Sequence, residues 1–567
     1  MERHICVWHK ENYDERDEVG ELIIDGSLIE FYSRFYGEVF PSTYIGWDGE
    51  HRYKIFVNGS ARYSERKTLD NVESHRVLYV LMQNFQFSKG MKIDSIQGFS
   101  FEIPELVKWL GIKTVSFAST DQGSLGAMEL HMDPIILKKE NPHIEIGLES
   151  RSFDTSIRGD DSVALTIKNI PRIYIHYNEK KTVDTVINDI ECLMQFFGLL
   201  IGTVSTVDDI RLSIEGQDLK SWLYLNQDFS YNIRTKIVIE KPRTYYYVLA
   251  EKIDTYYESW RNFYFDATYE LLRRIYFAAN GRKEMFAEEI FVEYMRFLDG
   301  YHTRICGDEE TKSKIKESLK NATNRIKTLL FNEEGKALFE EAMIAADPDW
   351  KCNSAHIKEI AGWIAAGYLG KTQLSYRLQE LDNKFLSIIS KNAIGIEKNT
   401  RNFAKHENKT DEELKQIYFK ELGDTRNFYS HYKLDKSGVL ELQQICSSID
   451  VLKATIISIL FSHMGMEMDL IRKIMEFDSE LHWQTMCLRE EGERPFNPPN
   501  NLENIQGKKQ KLPIRRRSRR KRTRCYRNAK RRNNRQIIDK SKIVKNRIDS
   551  SLPRRQGIGL HRYIIVR

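Results

Sequence analysis

Asp411–Tyr432, DEELKQIYFKELGDTRNFYSHY, is the stretch on which the architecture turns. Leu414, Ile417, Tyr418, Leu422, Thr425 and Tyr429 recur at helical spacing, which predicts a helix with one face in a core. The following LDKSG (434–438) marks its end. Arg426, Asn427 and His431 crowd its last turns. Arginine offers a planar fork of donors that fits a phosphate, and histidine changes charge near neutral pH, so the trio points to phosphodiester chemistry. Five residues of regular helix amount to about 140° of rotation and about 7.5 Å of rise, so the Arg arm or a loosened last turn must bring the two side chains to one phosphate. The negative end of the helix dipole favours a cation at His431, as a general acid requires.

RNA carries its own nucleophile in the 2′-hydroxyl, so a metal is not obligatory. A His that moves a proton and an Arg that stabilises the phosphorane-like transition state form a minimal nuclease, with Asn427 to orient the His or hold a phosphate oxygen. One His leaves the acid and base roles to be shared, and a symmetric dimer presenting two copies is chemically more complete. Spacing alone leaves a second reading open: a helix-surface Arg and a capping His.

The neighbouring sequence is helical as well. Tyr245–Ile305 has aromatic residues at helical spacing, and helices are predicted at Glu309–Phe331, Lys336–Ala346, Ser354–Tyr368, Thr372–Ser390 and Val439–His463. Their short connections indicate a bundle of about 200 residues. Gly370-Lys371-Thr372 imitates the end of a phosphate loop, but Ala365 stands where the first Gly is required and the preceding segment is helical, so Gly370 reads as a helix cap. Arg401-Asn402-Phe403-Ala404-Lys405-His406 repeats the Arg-to-His spacing in a polar, loop-like stretch and is the weaker copy.

From Glu21 to about Lys241 short alternations rich in Ile, Val, Tyr and Phe predict strands, interrupted by one helix from Val183 to about Ile201. This β-rich half has no Gly-rich phosphate loop. Its His131, His143 and His176 read as structural, which makes the region a recognition module rather than a catalytic one. At the other end, residues 508–567 hold 24 Lys+Arg against two acids, a charge of +22, while residues 1–507 hold 63 basic and 79 acidic residues, a charge of −16. Any electrostatic affinity for nucleic acid therefore rests on the tail, unless a basic patch is hidden in the body. The tail has no means of forming a core. It reads as an RNA-binding segment, a nuclear address or an extension without selected function.

Seven cysteines without a C-x-x-C pair indicate a reducing intracellular setting and no zinc site. The charged N-terminus lacks the apolar stretch of a signal peptide, and the apolar runs near Phe196–Ile201 and Thr455–Phe461 are too short to span a bilayer. A soluble, cytoplasmic protein without metal or cofactor is expected.

The string Gly423–Tyr432, GDTRNFYSHY, resembles the HEPN ribonuclease motif: an Arg, a polar residue, three variable residues and a His. Its Asp-Thr and Tyr flanks most resemble the ApeA-type HEPN proteins of bacterial antiphage defence. FLDGYHTRI at 297–305 is similar to the helix leading into the HEPN part of that family, and LSYRLQEL at 374–381 to a helix ahead of its motif. The resemblance covers roughly residues 1–485. It implies an α+β chain with a β-rich sensor or regulatory domain over 1–244, a helical region containing the HEPN domain over 245–490, and a disordered basic tail over 491–567. It further implies a metal-independent endoribonuclease with Arg426 and His431 as catalytic pair and Asn427 as accessory. Such an enzyme acts by abortive infection: it cleaves host RNA, with tRNA as a candidate substrate, works as a homodimer or higher homo-oligomer, and responds to a phage-derived trigger at the N-terminal domain. The alternative is a noncatalytic RNA-binding or interaction protein that uses the bundle as a dimerisation scaffold.

Overall fold

The computed structural model describes residues 2–489 apart from 11–17, 26–27, 34–41, 58–61, 64–72, 85–94, 113–116, 120–124, 128–131, 156–163, 203–206, 216–220, 226–240, 282–284, 307–308, 347, 350, 352–358, 363, 366–373, 399–407 and 432–436. The basic tail, the Arg401–His406 copy and Gly370–Thr372 lie outside the described residues.

Seven strands come first: β1 (Glu2–Lys10), β2 (Glu18–Asp25), β3 (Leu28–Ser33), β4 (Ser42–Trp47), β5 (His51–Val57), β6 (Arg62–Tyr63) and β7 (Glu73–Asn84). Six of them close on themselves in the order β1, β2, β3, β7, β5, β4 and back to β1, each pair antiparallel. Closure removes free edges and leaves an interior for alternate side chains. Trp8, Phe31, Tyr44, Tyr53, Ile55 and Val80 fill it. Trp8 fits because its register partner on β4 is Gly46, where a Cβ would come within 2.3 Å of the indole ring.

The barrel is one end of a thirteen-stranded sheet, because β7 also pairs with β15 (Ser221–Leu225). From there the sheet runs through β14 (Asp208–Ile214), β8 (Ile96–Glu102), β13 (Ala164–Lys181) and β12 (His143–Thr155) to β11 (Ile135–Lys138). Strands β9 (Phe117–Ser119) and β10 (Leu125–Ala127) pair separately. A short helix α1 (Leu106–Leu110) follows β8, and α2 (Val183–Ile201) lies in the core formed by Phe99, Phe101, Ile173 and Ile175 of the sheet. Thr182 caps α2 by accepting the Thr185 N–H, and Gly202 ends it.

The helices that follow are α3 (Tyr246–Leu249), α4 (Ile253–Phe265), α5 (Ala267–Gly281), α6 (Ala287–Tyr301), α7 (Glu309–Phe331), α8 (Glu333–Ala346), α9 (Leu374–Lys384), α10 (Ile388–Lys398), α11 (Asp411–His431), α12 (Leu442–His463), α13 (Met468–Phe477) and α14 (His482–Thr485). One differs from the sequence reading. Thr372–Ser390 was expected as one helix, but Leu386 and Ser387 take positive φ between α9 and α10. The buried carboxylate of Asp382 accepts the Ile389 and Ser390 N–H groups at 2.7 and 2.9 Å, capping α10 from the preceding helix without any Gly or Pro in the sequence to announce the break. Within Ser354–Tyr368, residues 359–362 and 364–365 are helical and the rest lie outside the described residues.

The sheet and the bundle share one core. Trp260 of α4 donates to the Cys192 carbonyl of α2 at 3.1 Å, and Arg261 of α4 pairs with the buried Asp189 of α2. Between them, Arg243 and Thr244 bond through their N–H groups to the carbonyls of Ile201 and Leu200. The Arg243 side chain, 2% exposed, donates to the Leu199 carbonyl at 2.9 Å and pairs with Asp478 just beyond α13. The centre of the bundle is α12, in which every residue from Val451 to Phe461 is buried. It is long and apolar enough to cross a membrane by length and composition, more so than the run Thr455–Phe461 suggested, yet 72% of its most apolar window is buried inside the protein.

Helix α10 meets α11 through a pair of carboxyls. Glu397, 1% exposed, hydrogen bonds with Glu421, and Gln444 of α12 donates to it at 3.5 Å. Burial first, and Glu421 second, push the pKa of Glu397 up to about 8. A proton is thus retained by the folded pair where the unfolded chain has released it.

Two stability predictions follow from these contacts. Arg243→Met leaves Asp478 buried without its cation and is expected to cost about 3–5 kcal/mol, read as a lower urea midpoint at unchanged slope; an unchanged midpoint would show the pair to be dispensable. The Glu397 contribution is full below its ordinary value of 4.5 and declines as pH rises toward 8, because the folded state then holds more protons than the unfolded. Glu397→Gln should therefore melt above wild type at pH 8, by about 2–4 °C for each kcal/mol relieved, with the gap closing near pH 4.5. Parallel curves for the two proteins would contradict the shared proton.

Candidate active site

Helix α11 forms as its spacing predicts. Leu414, Tyr418, Phe419, Leu422 and Thr425 are buried, while Ile417 and Tyr429 are half-buried. Tyr418 is tied to Ser448 of α12 by a 2.8 Å hydrogen bond. The end of the helix is held by residues flanking the Arg. Thr425 accepts the Leu440 N–H at 2.8 Å, which folds the connector to α12 back against the motif. Gly438 lies at φ +71°, where a Cβ would stand 2.9 Å from the Asp424 carboxylate. That position needs glycine both for its backbone conformation and for the close approach.

Arg426 is half-buried, with 23% of its side chain exposed, and points toward α6. Its Nη2 lies 3.5 Å from Asp299 Oδ2, and its Nη1 donates to Asn427 Oδ1 at 3.0 Å. Asp299 also accepts from Arg377 of α9, so one carboxylate stands between two guanidinium groups. Arg377 further donates to Thr303 at 3.0 Å. Thr303 belongs to a π-helical turn, His302–Cys306, that continues α6. In the same turn His302 Nε2 lies 2.6 Å from Glu380 of α9, which also accepts from Tyr376 at 3.1 Å. Two polar rungs thus clamp α6 to α9 beside Arg426.

His431 is the last residue of α11 and is exposed; among the described residues it makes no hydrogen bond or ion pair. It is not hydrogen bonded to Arg426. Asn427 holds the guanidinium and lies four residues before His431, on the same ridge of the helix. Asn427, expected to orient the His or hold a phosphate oxygen, accepts from the Arg426 guanidinium through its carbonyl oxygen. On the adjacent ridge, Arg426 Nε and Ser430 Oγ, also four residues apart, are buried polar atoms without a hydrogen-bond partner among the described residues. A guanidinium N–H and a hydroxyl on one ridge can both donate to an oxygen-rich group such as a phosphate.

Asp299, Arg377 and Ser430 escaped the reading of the sequence as site residues. The first two lie inside FLDGYHTRI and LSYRLQEL, the segments that already resembled family helices, but nothing local marks them as neighbours of a residue far along the chain. Among the described residues no cluster of three or more His, Cys, Asp or Glu side chains has the arrangement of a metal site.

Two family models match the chain. The one described as ApeA N-terminal domain 1 covers residues 4–260, and the one described as Apea-like HEPN covers residues 292–470. No curated protein and no solved structure matches. The first match takes in the barrel, the sheet and α2, and the second takes in α6 through α12 with Asp299, Arg377, Arg426 and His431. Two ApeA models in the expected order, spanning most of the chain between them, place it by descent as well as by motif: it belongs to the ApeA-type HEPN proteins of antiphage defence.

Proposed function

We propose that this protein is a metal-independent endoribonuclease, with Arg426 and His431 as the catalytic pair and Asn427 as the residue that sets the arginine. The observation that carries this reading is the state of the last turns of α11. Arg426 is anchored by Asp299 and Asn427 but, among the described residues, keeps an unpaired Nε, and His431 stands exposed at the helix end without a hydrogen-bond or ion-pair partner among them. An anchored cation beside a free proton carrier suits a phosphodiester.

In the reaction the 2′-oxygen attacks the adjacent phosphorus as its proton passes to a base. The bond to the 5′-oxygen breaks as that oxygen takes a proton from an acid, leaving a 2′,3′-cyclic phosphate and a 5′-hydroxyl. Arg426 balances the charge that builds on the non-bridging oxygens. A single His431 serves one of the two proton transfers, and its counterpart in a homodimer serves the other. In the cell the substrate is host RNA, tRNA being one candidate, and its loss halts growth after infection. Residues 1–244 act as the sensing part that a phage-derived trigger engages, and residues 245–490 as the part that cleaves.

Because His431 is exposed and has no partner among the described residues, His431→Ala is expected to leave the melting temperature unchanged while lowering RNA cleavage by about 10²–10⁴-fold and relieving growth arrest. Cleavage should persist in excess EDTA. Equal cleavage by wild type and variant would exclude His431, and loss of cleavage in His406→Ala alone would move the site to the other copy.

A further inference from the structure

A cavity of about 410 Å³ opens between α10, α12 and α14, lined in part by Asn392, Gln443, Gln444, Ser447, Trp483 and Gln484. It is a second place, apart from the motif: Arg426 faces Asp299 on α6, whereas Gln444 at this cavity faces Glu397 on α10. Three features define what it can hold. First, no ionisable side chain lines it among the described residues, so a phosphate or carboxylate would enter without a counter-charge. Second, its polar groups are mainly carboxamides, which offer donors and acceptors side by side and so match a ring edge that carries both. Gln484 Oε1 is buried there with no hydrogen-bond partner among the described residues, an acceptor able to take a donor from a ring edge. Third, Trp483 at the cavity is 73% exposed, a large flat surface left in water beside an amide-lined hollow. Such a surface gains by stacking on another flat ring.

We infer that this cavity binds a nucleobase, with Trp483 stacking on its face and the amides of Gln484 and Gln443 reading its edge. The volume fits a nucleoside, and the uncharged lining means that recognition is of base rather than phosphate. Free nucleosides and unpaired bases of an RNA strand present the same chemistry.

The test uses the full-length protein and equilibrium dialysis against adenosine, guanosine, cytidine, uridine, ribose, and a short single-stranded RNA with 2′-O-methyl groups that prevent cleavage. At least one nucleoside or the RNA should bind saturably. Trp483→Ala, at an exposed position that should not disturb folding, should weaken that binding by about tenfold or more, the size of one base–aromatic stack. Ser447→Trp, which fills the cavity, should abolish it. Binding of a nucleoside would assign a free ligand, and binding of the RNA alone, lost in Trp483→Ala, would assign a strand; either supports the site. Absence of binding by every probe, equal affinity in Trp483→Ala, or ribose binding as well as the nucleosides would overturn it.

Discussion

A helical segment buried on every side has to be surrounded, and the second half of α12 imposes that requirement on the rest of the bundle. From Val451 to Phe461 each residue is buried, and even Thr455 and Ser458 return their hydroxyl hydrogens to carbonyls within the helix. Lys453 alone carries a charge in that run, and it reaches out to Glu480. Helices α6, α10, α13 and α14 pack around α12, and the core they form is continuous with that between α2 and the sheet. Once α12 is covered in this way, α6 lies where Asp299 reaches Arg426.

The chemistry of the motif then follows from one carboxylate shared by two arginines. Asp299 offsets part of the charge of Arg426 and Arg377, which fixes the guanidinium at a body whose net charge of −16 would not attract RNA by itself. A rigid anchored cation is better suited to a developing negative charge than a mobile one, because no reorganisation is required as the reaction proceeds. Among the described residues the histidine has no hydrogen-bond or ion-pair partner. That arrangement suits the proposed reaction, in which a preorganised Arg426 would stabilise charge and an exposed His431 would carry the proton at the interface of the proposed dimer.

Much of this was legible in the sequence where physics is local. The period of Leu414, Tyr418, Leu422 and Thr425 gives α11 nearly to the residue, and alternation gives most strands of the first half. Three things were not legible, each for a different reason. Barrel closure depends on β7 pairing with both β3 and β5, a choice among distant partners that no strand's own alternation encodes. The break between α9 and α10 comes from the side chain of Asp382, which looks in sequence like any helix-surface acid. Asp299 becomes a site residue only through packing, although the segment that holds it already resembled a family helix.

The central claim is that RNA is cut by its own 2′-hydroxyl under the influence of Arg426 and His431, and the ends of the products test it most directly. Mass spectrometry of a defined RNA after incubation with the purified protein should show 2′,3′-cyclic phosphate and 5′-hydroxyl ends, with no cut where the nucleotide before the scissile bond is 2′-deoxy. Products with 5′-phosphate and 3′-hydroxyl ends, or cleavage that continues past the 2′-deoxy substitution, would contradict it.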